Sequence, residues 1–135
     1  MTTTPILDTR SFPLVWLRPP ARPLDTEEAK ALIDGLIRLL DGERPYVIIS
    51  EGGSPALPRE AERSFALWFK SDRDRLARLC GGMAMVIPPG PAHDDAVRQV
   101  AKAAAAYPYP VAVIPDTDTA MAWAHSRLER TAPRS

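Results

Sequence analysis

The sequence predicts an α/β domain whose mixed, largely parallel sheet of four to five strands is packed by about four helices. Three observations support this fold class. Short apolar segments alternate with stretches in which apolar residues recur at the three-and-four spacing of a helix face. Glycine and proline clusters separate the two kinds of segment. Helical crossovers return the chain to the same end of a sheet, so consecutive strands are expected to run parallel.

The first predicted strand spans residues 12–18, where successive side chains fall on opposite faces. Pro13 lacks an amide hydrogen and therefore favours a position at the sheet edge. Residues 1–11 are mainly polar, and we expect them to lie loosely outside an ordered core of about residues 12–130.

The first predicted helix begins near Asp25, because Asp25 and Glu28 have the spacing of a capping box. Gly42 is well placed to end it. Its apolar stripe comprises Ala29, Leu32, Ile33, Leu36, Ile37 and Leu40. The wholly apolar run at residues 46–49 then predicts a central strand that is covered by helices.

The longest predicted helix spans residues 58–80 and breaks near Ser71. Gly81 and Gly82 are expected to stop this helix, because glycine is a weak helix former. The next buried strand is then expected at residues 83–87, ahead of a turn rich in proline.

A third helix is predicted at residues 94–106, since acidic residues at its start suit the positive end of the helix dipole. Its expected buried residues are Val97, Val100, Ala101 and Ala104. The last strand is predicted at residues 111–114, and Asp116 or Asp118 is expected to cap the final helix. That helix carries Ala120, Met121, Ala124 and Leu128 on its apolar side.

Length and charge restrict the class of protein. The 135 residues match a single domain with one core. The 17 basic and 17 acidic side chains cancel, which disfavours nucleic acid as a partner. The single cysteine, Cys80, cannot form an internal disulfide, and the polar start predicts a cytoplasmic location. No apolar run approaches the roughly 20 residues of a membrane-spanning helix, so no transmembrane segment is expected.

Residues 63–128 carry a resemblance to a known family. In residues 75–87 a helical pattern runs through two glycines into an apolar strand. In residues 109–123 an apolar strand leads into a helix with an Ala-x-x-Trp pattern at Ala120 and Trp123. Both stretches resemble the SpoIIAA-like branch of the sulfate transporter and anti-sigma-factor antagonist (STAS) family, which is related in shape to lipid-carrying Sec14-type domains.

The resemblance implies a regulatory or ligand-binding domain without catalytic activity, built on a mixed sheet packed by helices. In the antagonist branch a phosphorylatable serine lies in an Asp-Ser-Ser/Thr-Gly motif after the second core strand. Residues 50–58 of this chain read Ser-Glu-Gly-Gly-Ser-Pro-Ala-Leu-Pro and lack that motif. A sigma-factor phosphoswitch is therefore not expected.

The loop at residues 51–58 follows a core strand and precedes a helix, where α/β sheets expose backbone amides to ligands and partners. We expect a partner-binding surface here, formed by Glu51, Gly52, Gly53 and Ser54. Trp68 and Phe69 extend it along the long helix if the core cannot hold both rings. A plain turn is the competing interpretation, because the lysine of a phosphate-binding loop is absent.

Few side chains suggest chemistry. His93 lies beside Asp94 and Asp95, where capping of a helix start explains them better than a metal site. His125 has no sequence neighbour that would complete a triad or a metal cluster. Cys80 precedes a core strand and is expected to be a buried, inert thiol. We therefore expect no catalytic residue, no cofactor and no metal site.

These observations favour a non-enzymatic interaction or regulatory module of STAS-like type, whose partner is another protein or a second copy of the chain. The alternative is a domain that binds a small apolar ligand or lipid. In that case Phe65, Trp68, Phe69, Met83 and Met85 line the cavity. An enzyme is the third alternative, because polar residues from distant loops can converge.

Overall fold

The structure, a computed structural model, describes residues 6–53 and 55–131. In this part of the chain a five-stranded sheet and five α-helices confirm the predicted α/β class. In chain order the elements are β1 (Leu7–Asp8), β2 (Leu14–Leu17), α1 (Thr26–Asp41), β3 (Tyr46–Glu51), α2 (Arg59–Ser71), α3 (Arg73–Leu79), β4 (Cys80–Val86), α4 (Pro91–Ala103), a 3-10 turn (Ala104–Ala106), β5 (Val111–Ile114) and α5 (Thr117–Thr131). None of the described helices is long and apolar enough to cross a membrane.

The strands lie in the sheet in the same order as in the sequence. β1 pairs antiparallel with β2, whereas β2 to β5 pair in parallel. Because crossovers between parallel strands are nearly always right-handed, successive crossovers in one direction place α1 to α4 on the same face. We call this the crossover face. α5 follows the last strand and packs on the opposite face, against β3 and β4.

Alternating strand residues divide the core into two layers. On the crossover face the buried strand residues are Val15, Leu17, Tyr46, Ile48, Cys80, Met83 and Met85. On the opposite face they are Leu14, Trp16, Val47, Ile49, Ala84 and Ile114. Because the pleat sends neighbouring side chains to opposite faces, one apolar strand supplies both layers.

The start of α1 confirms the predicted capping box. The Asp25 carboxylate accepts a hydrogen bond from the Glu28 amide at 2.8 Å, and the Glu28 carboxylate accepts one from the Asp25 amide at 3.0 Å. Gly42 caps the other end, and the left-handed backbone conformation falls on the next residue, Glu43 (φ 54°). The predicted break near Ser71 is also confirmed, since α2 ends there and α3 begins two residues later.

The prediction that residues 1–11 lie outside the core is wrong for β1. This short strand forms the sheet edge, so the strand that follows Pro13 is second in the sheet rather than at its edge. Asp8 is buried, and its carboxylate accepts hydrogen bonds from the guanidinium groups of Arg10 and Arg18, each at 2.8 Å. Two cations allow the carboxylate to be buried, which the local hydropathy pattern does not reveal.

The prediction that Gly81 and Gly82 stop a helix is also wrong, because both lie inside β4. α3 passes directly into the strand at Cys80. Gly82 has a φ of +148°, and a Cβ there would meet the Trp123 ring at 2.6 Å and the Pro110 carbonyl oxygen at 3.0 Å. Because Gly82 has no side chain, the Trp123 ring and the Pro110 carbonyl group can pack close to its backbone.

α4 differs from the prediction in its packing. Val97, Val100, Ala101 and Ala104 were expected to be buried, yet Val97 is 45% exposed and both alanines are exposed. Val100 is half-buried against the core. The reason is position: α4 packs on β5, which is the last strand of the described sheet, and an edge strand covers only part of a helix.

Candidate functional site

A cavity of about 180 Å³ lies between the crossover face of the sheet and the helices α1 and α2. Its floor consists of strand side chains that point to this face, namely Leu17, Tyr46, Ile48, Met83, Met85 and Val111. Leu32 and Leu36 of α1 form one wall, and Leu57 in the segment before α2 closes another. The floor is the alternate-residue pattern of parallel strands, so the sequence places these side chains together once the sheet forms.

Five aromatic rings form the opposite wall. The Phe65 and Phe69 rings stack with centroids 5.4 Å apart, and Trp68 lies 5.8 Å from Phe65. Phe69 meets the rings of Tyr107 and Tyr109 edge to face, at 6.3 and 6.0 Å. These distances suit favourable aromatic pairs. The five rings, which we call the aromatic wall, join α2 to the segment before β5.

α2 covers the cavity without packing tightly on the sheet. The three-and-four spacing places Phe65, Trp68 and Phe69 on one helix face. However, none of the 13 residues of α2, all within the described chain, is buried. The next helix is different, because α3 buries Leu76 and Leu79. α3 therefore anchors this part of the chain, and α2 holds its half-buried rings over open space.

The tyrosines of the aromatic wall follow the 3-10 turn, which Arg73 holds in place. The Arg73 guanidinium donates hydrogen bonds to the carbonyl oxygens of Ala105 at 3.2 Å and Ala106 at 2.8 Å. Carbonyl groups at a helix end lack partners within the helix, so a cation there is favourable. This contact fixes the segment that carries Tyr107 and Tyr109 relative to α3.

Several of the side chains that line the cavity carry polar atoms. The indole Nε1 of Trp68 is the one buried side-chain nitrogen or oxygen without a hydrogen-bond partner among the described residues. The Tyr46 hydroxyl is hydrogen-bonded to the Cys80 thiol, which in turn donates to the Gly82 carbonyl oxygen at 3.6 Å. Burial raises the pKa of Cys80 to about 12 and raises the pKa of Tyr46 and of Tyr109 above the usual range. All three groups therefore stay protonated and neutral.

Every described residue that lines the cavity is uncharged. Transfer of an isolated charge into such surroundings is very unfavourable, because no countercharge or water replaces its hydration. The cavity therefore suits neutral molecules and disfavours carboxylates, phosphates and ammonium groups.

The predicted partner-binding loop lies outside this cavity, at the carboxyl end of β3. Glu51 ends the strand, and its carboxylate oxygen lies 3.4 Å from Arg18 Nε. Gly52 has a φ of +118°, and the space around the α-carbons of Gly52 and Gly53 is open. Ser54 lies outside the described residues. The loop borders a shallow cleft formed with residues 19–23.

Trp68 and Phe69 do not adjoin that loop as one surface. Both rings belong to the aromatic wall and are half-buried, whereas Leu67 is the large apolar residue of α2 that faces solvent, at 66% exposure. Pro55 lines the cavity and the cleft, so it separates the two sites. The structure thus divides the five predicted residues that it describes between two places.

The prediction that His93, Asp94 and Asp95 cap α4 is wrong, because no side chain caps this described helix. His93 Nδ1 instead lies 2.7 Å from the carbonyl oxygen of Ile87, which ties α4 to the end of β4. Asp95 pairs with an arginine one turn later. The helix starts earlier than predicted, at a proline, so these residues fall inside its first turns.

The remaining reactive side chains lie apart. His125 is exposed on α5, and Cys80 is buried as predicted. Within residues 6–53 and 55–131, no three His, Cys, Asp or Glu side chains converge to hold a metal ion.

Sequence reasoning missed three tyrosines of the cavity. Tyr46 was expected only as part of a central strand, and Tyr107 and Tyr109 lie between the predicted third helix and the last strand, where no binding role was predicted for them. The alternation of tyrosine and proline at residues 107–110 is the available signal, since it places two rings in a stiff segment beside a strand.

Fold and site together define an α/β protein with a neutral, aromatic-walled cavity on the crossover face of its sheet. Comparisons with family models, with curated proteins and with solved structures give no match. The chemistry of the cavity is therefore the basis for the function proposed next.

Proposed function

We propose that this protein binds a small, neutral, mostly apolar molecule in the cavity beneath α2. One observation carries the proposal: the aromatic wall and the apolar floor enclose about 180 Å³ that protein atoms leave unfilled. Small-molecule sites are concave and mostly apolar, with a few polar groups that fix orientation. Tyr46 and Tyr109, whose phenols stay neutral, supply such polar groups in the lining.

The energetics of packing support this proposal. Protein interiors are usually close-packed, and an unfilled cavity costs about 24 cal/mol per Å³. The cavity is partly open to solvent, so only the portion of its about 180 Å³ that stays dry carries this cost. A bound ligand offsets this cost, because it restores apolar contacts that the empty cavity lacks.

Filling the cavity with a side chain tests the proposal. Leu57 is a half-buried cavity residue in a loop, so Leu57→Trp is expected to occupy the space with little strain. We expect isothermal titration with acetophenone to give a dissociation constant of about 10 μM to 1 mM for the natural protein and no measurable binding for Leu57→Trp.

Leu67→Trp is the matched control, because Leu67 faces solvent on the far side of α2. This variant is expected to bind acetophenone as the natural protein does. The proposal is wrong if acetophenone does not bind the natural protein, or if it binds Leu57→Trp with equal affinity.

A second candidate function rests on the loop at the carboxyl end of β3. The open space around Gly52 and Gly53 and the adjacent cleft support a STAS-like interaction module in which Glu51, Gly52, Gly53 and Ser54 contact another protein. Gly53→Trp puts a large ring into this space. We expect it to abolish capture of a partner from native lysate that the natural protein and Leu67→Ala both retain. Equal capture by all three proteins would contradict this candidate.

A further inference from the structure

We infer that a groove between β1 and α1, which we call the α1 groove, is a second binding site. It takes a small molecule that carries a carboxylate or phosphate at one end of an apolar chain. The groove has a volume of about 630 Å³, within the range of roughly 300 to 1,000 Å³ that is usual for small-molecule sites. Among the described lining residues it shares only Leu32 with the cavity beneath α2, so the site is independent of the function proposed for that cavity.

The α1 groove has apolar walls on both sides. One wall is formed by β1 and the loop after it, and the other by α1, where Ala31, Gly35 and Arg38 recur at the three-and-four spacing of one helix face. Gly35 lets the two walls approach, because the end of the Leu7 side chain lies 2.8 Å from the position of a Cβ there. The large apolar side chains of the described lining are Ile6, Leu7, Phe12, Leu32 and Leu39.

Two exposed arginines form the basic end of the groove. Arg38 lies in the last turn of α1, and Arg44 follows that helix. The Arg44 guanidinium carbon lies 4.4 Å from the centroid of the Phe12 ring, a cation–π contact that holds this cation at the groove. Cations are favourable at the carboxyl end of a helix, yet neither guanidinium donates to a carbonyl or carboxylate oxygen of the described residues.

The acidic side chains between the two arginines in the sequence are paired elsewhere. The Asp41 carboxylate lies 3.2 Å from the guanidinium of Arg75, and the Glu43 carboxylate lies 2.9 Å from that of Arg78. Both of these partners belong to α3. The two carboxylates are therefore engaged by α3 and leave the guanidinium groups of the groove for an external anion.

Glu28 is the one acidic residue of the described lining, and it lies at the other end of the groove. It precedes Arg38 by ten residues, roughly 15 Å along the helix axis. Its carboxylate oxygens accept hydrogen bonds from the Arg22 guanidinium at 2.7 and 2.9 Å. Residues 1–5, which precede Ile6, contain no acidic side chain. These segments therefore supply no anion to the basic end.

Charge and length together define the class of ligand. Guanidinium groups bind carboxylate and phosphate oxygens through paired hydrogen bonds, and the leucines of α1 offer apolar surface beside them. From Arg38 back to Ala31 the helix is roughly 10 Å long, which is about the length of an extended eight-carbon chain. Because water screens the exposed arginines, we expect weak binding.

Octanoate and octanamide test the site, since they share a chain and nearly a shape but differ in charge. The amide resonances of Gly35 and Gly42 in ¹⁵N-labelled full chain report on the groove, because both residues line it. In low-salt buffer these resonances should give octanoate a dissociation constant about five- to tenfold lower than that of octanamide. Acetate, which lacks the chain, should not move them, and Gly82, packed against the Trp123 ring inside the sheet, is the reference that stays in place.

Charge variants identify the groups that bind the anion. Arg38→Gln combined with Arg44→Gln is expected to remove the preference for octanoate. Arg59→Gln combined with Arg63→Gln is the matched control, because it changes the net charge equally at exposed residues of α2 outside the groove. This control should retain the preference. Octyl phosphate, titrated in the same way, shows which of the two oxyanions binds more tightly.

Three outcomes would overturn the inference. The first is that octanoate leaves the Gly35 and Gly42 resonances unmoved or binds no more tightly than octanamide. The second is a preference that survives the loss of both arginines of the groove. The third is an equal loss of preference in the α2 control, which would reveal an effect of net charge alone. None of these results bears on the cavity, which acetophenone and Leu57→Trp test separately.

Discussion

At the scale of single residues, the packing around β4 depends on the missing side chain of Gly82. Gly82 lies inside β4 with a φ of +148°, and the Trp123 ring occupies the space that a Cβ would need. Residues with a side chain rarely adopt this backbone conformation. Gly53 is a useful contrast, because nothing lies within 4 Å of the Cβ it lacks.

Gly82→Ala is expected to lower the free energy of unfolding by about 2 to 4 kcal/mol, because it adds backbone strain to a steric clash. Gly53→Ala should change it by less than about 0.5 kcal/mol. Urea denaturation of the two variants beside the natural protein measures both changes. A loss below about 1 kcal/mol for Gly82→Ala would show that β4 relaxes around the added methyl group.

Cys80 is expected to react slowly in the folded protein. Burial raises the pKa of its thiol to about 12, so at pH 8 the thiolate fraction is only about one in 10⁴. Labelling with Ellman's reagent should therefore be at least about 100-fold slower in buffer than in 8 M urea. Equal rates under both conditions would contradict the burial of this side chain.

At the scale of elements, the segment predicted as one long helix consists of two helices with different roles. α3 is short and anchored by Leu76 and Leu79 in the core, whereas α2 is longer and has only half-buried residues on its inner face. The two differ because α3 leads straight into β4, while α2 spans the cavity.

Two leucine truncations separate these roles. Leu76→Ala is expected to lower the free energy of unfolding by about 2 to 4 kcal/mol, because it removes a buried side chain and leaves a void. Leu67→Ala should change it by less than about 0.5 kcal/mol, because Leu67 is mostly exposed. Thermal and urea unfolding of both variants give the comparison. Similar losses for the two would mean that α2 is buried by an interface in solution.

At the scale of the whole molecule, ion pairs tie the sheet edge and the first crossover to the core. Asp8 on β1 pairs with Arg18, which also reaches Glu51 at the end of β3. The hydrogen bond from the Arg10 side chain is the main reason that the pKa of Asp8 lies well below its usual value. The hydrogen bond from Arg22 is the main reason that the pKa of Glu28 falls from 4.5 to about 2.

These shifts predict how stability depends on pH. A carboxyl whose pKa is lower in the folded state stabilises the fold above its unfolded pKa, and this contribution is lost as pH falls through the folded value. The free energy of unfolding should therefore decrease from about pH 4.5 toward pH 2, the window set by Glu28. Urea midpoints across this range should show a shallower decrease for Asp8→Asn combined with Glu28→Gln. Parallel curves for variant and natural protein would contradict the role of the two carboxyls.

Much of the candidate site follows from local sequence, and the rest does not. Phe65, Trp68 and Phe69 share a helix face by their spacing, and Met83 and Met85 share a strand face. The tyrosines of the cavity come from β3 and from the segment after the 3-10 turn, so no local pattern relates them to α2. The unpartnered indole donor exists only once these elements surround it.

Local sequence encodes the alternation of strands and helices, the capping box at Asp25 and the break near Ser71. Hydrogen bonding within a turn and side-chain periodicity both act over only a few residues. Tertiary packing decided that β1 joins the sheet, that Gly82 lies inside a strand, and that Val97 faces solvent. Periodicity reports that a segment has an apolar face. Which neighbour covers that face, and whether a space remains beneath it, depends on elements far apart in the chain.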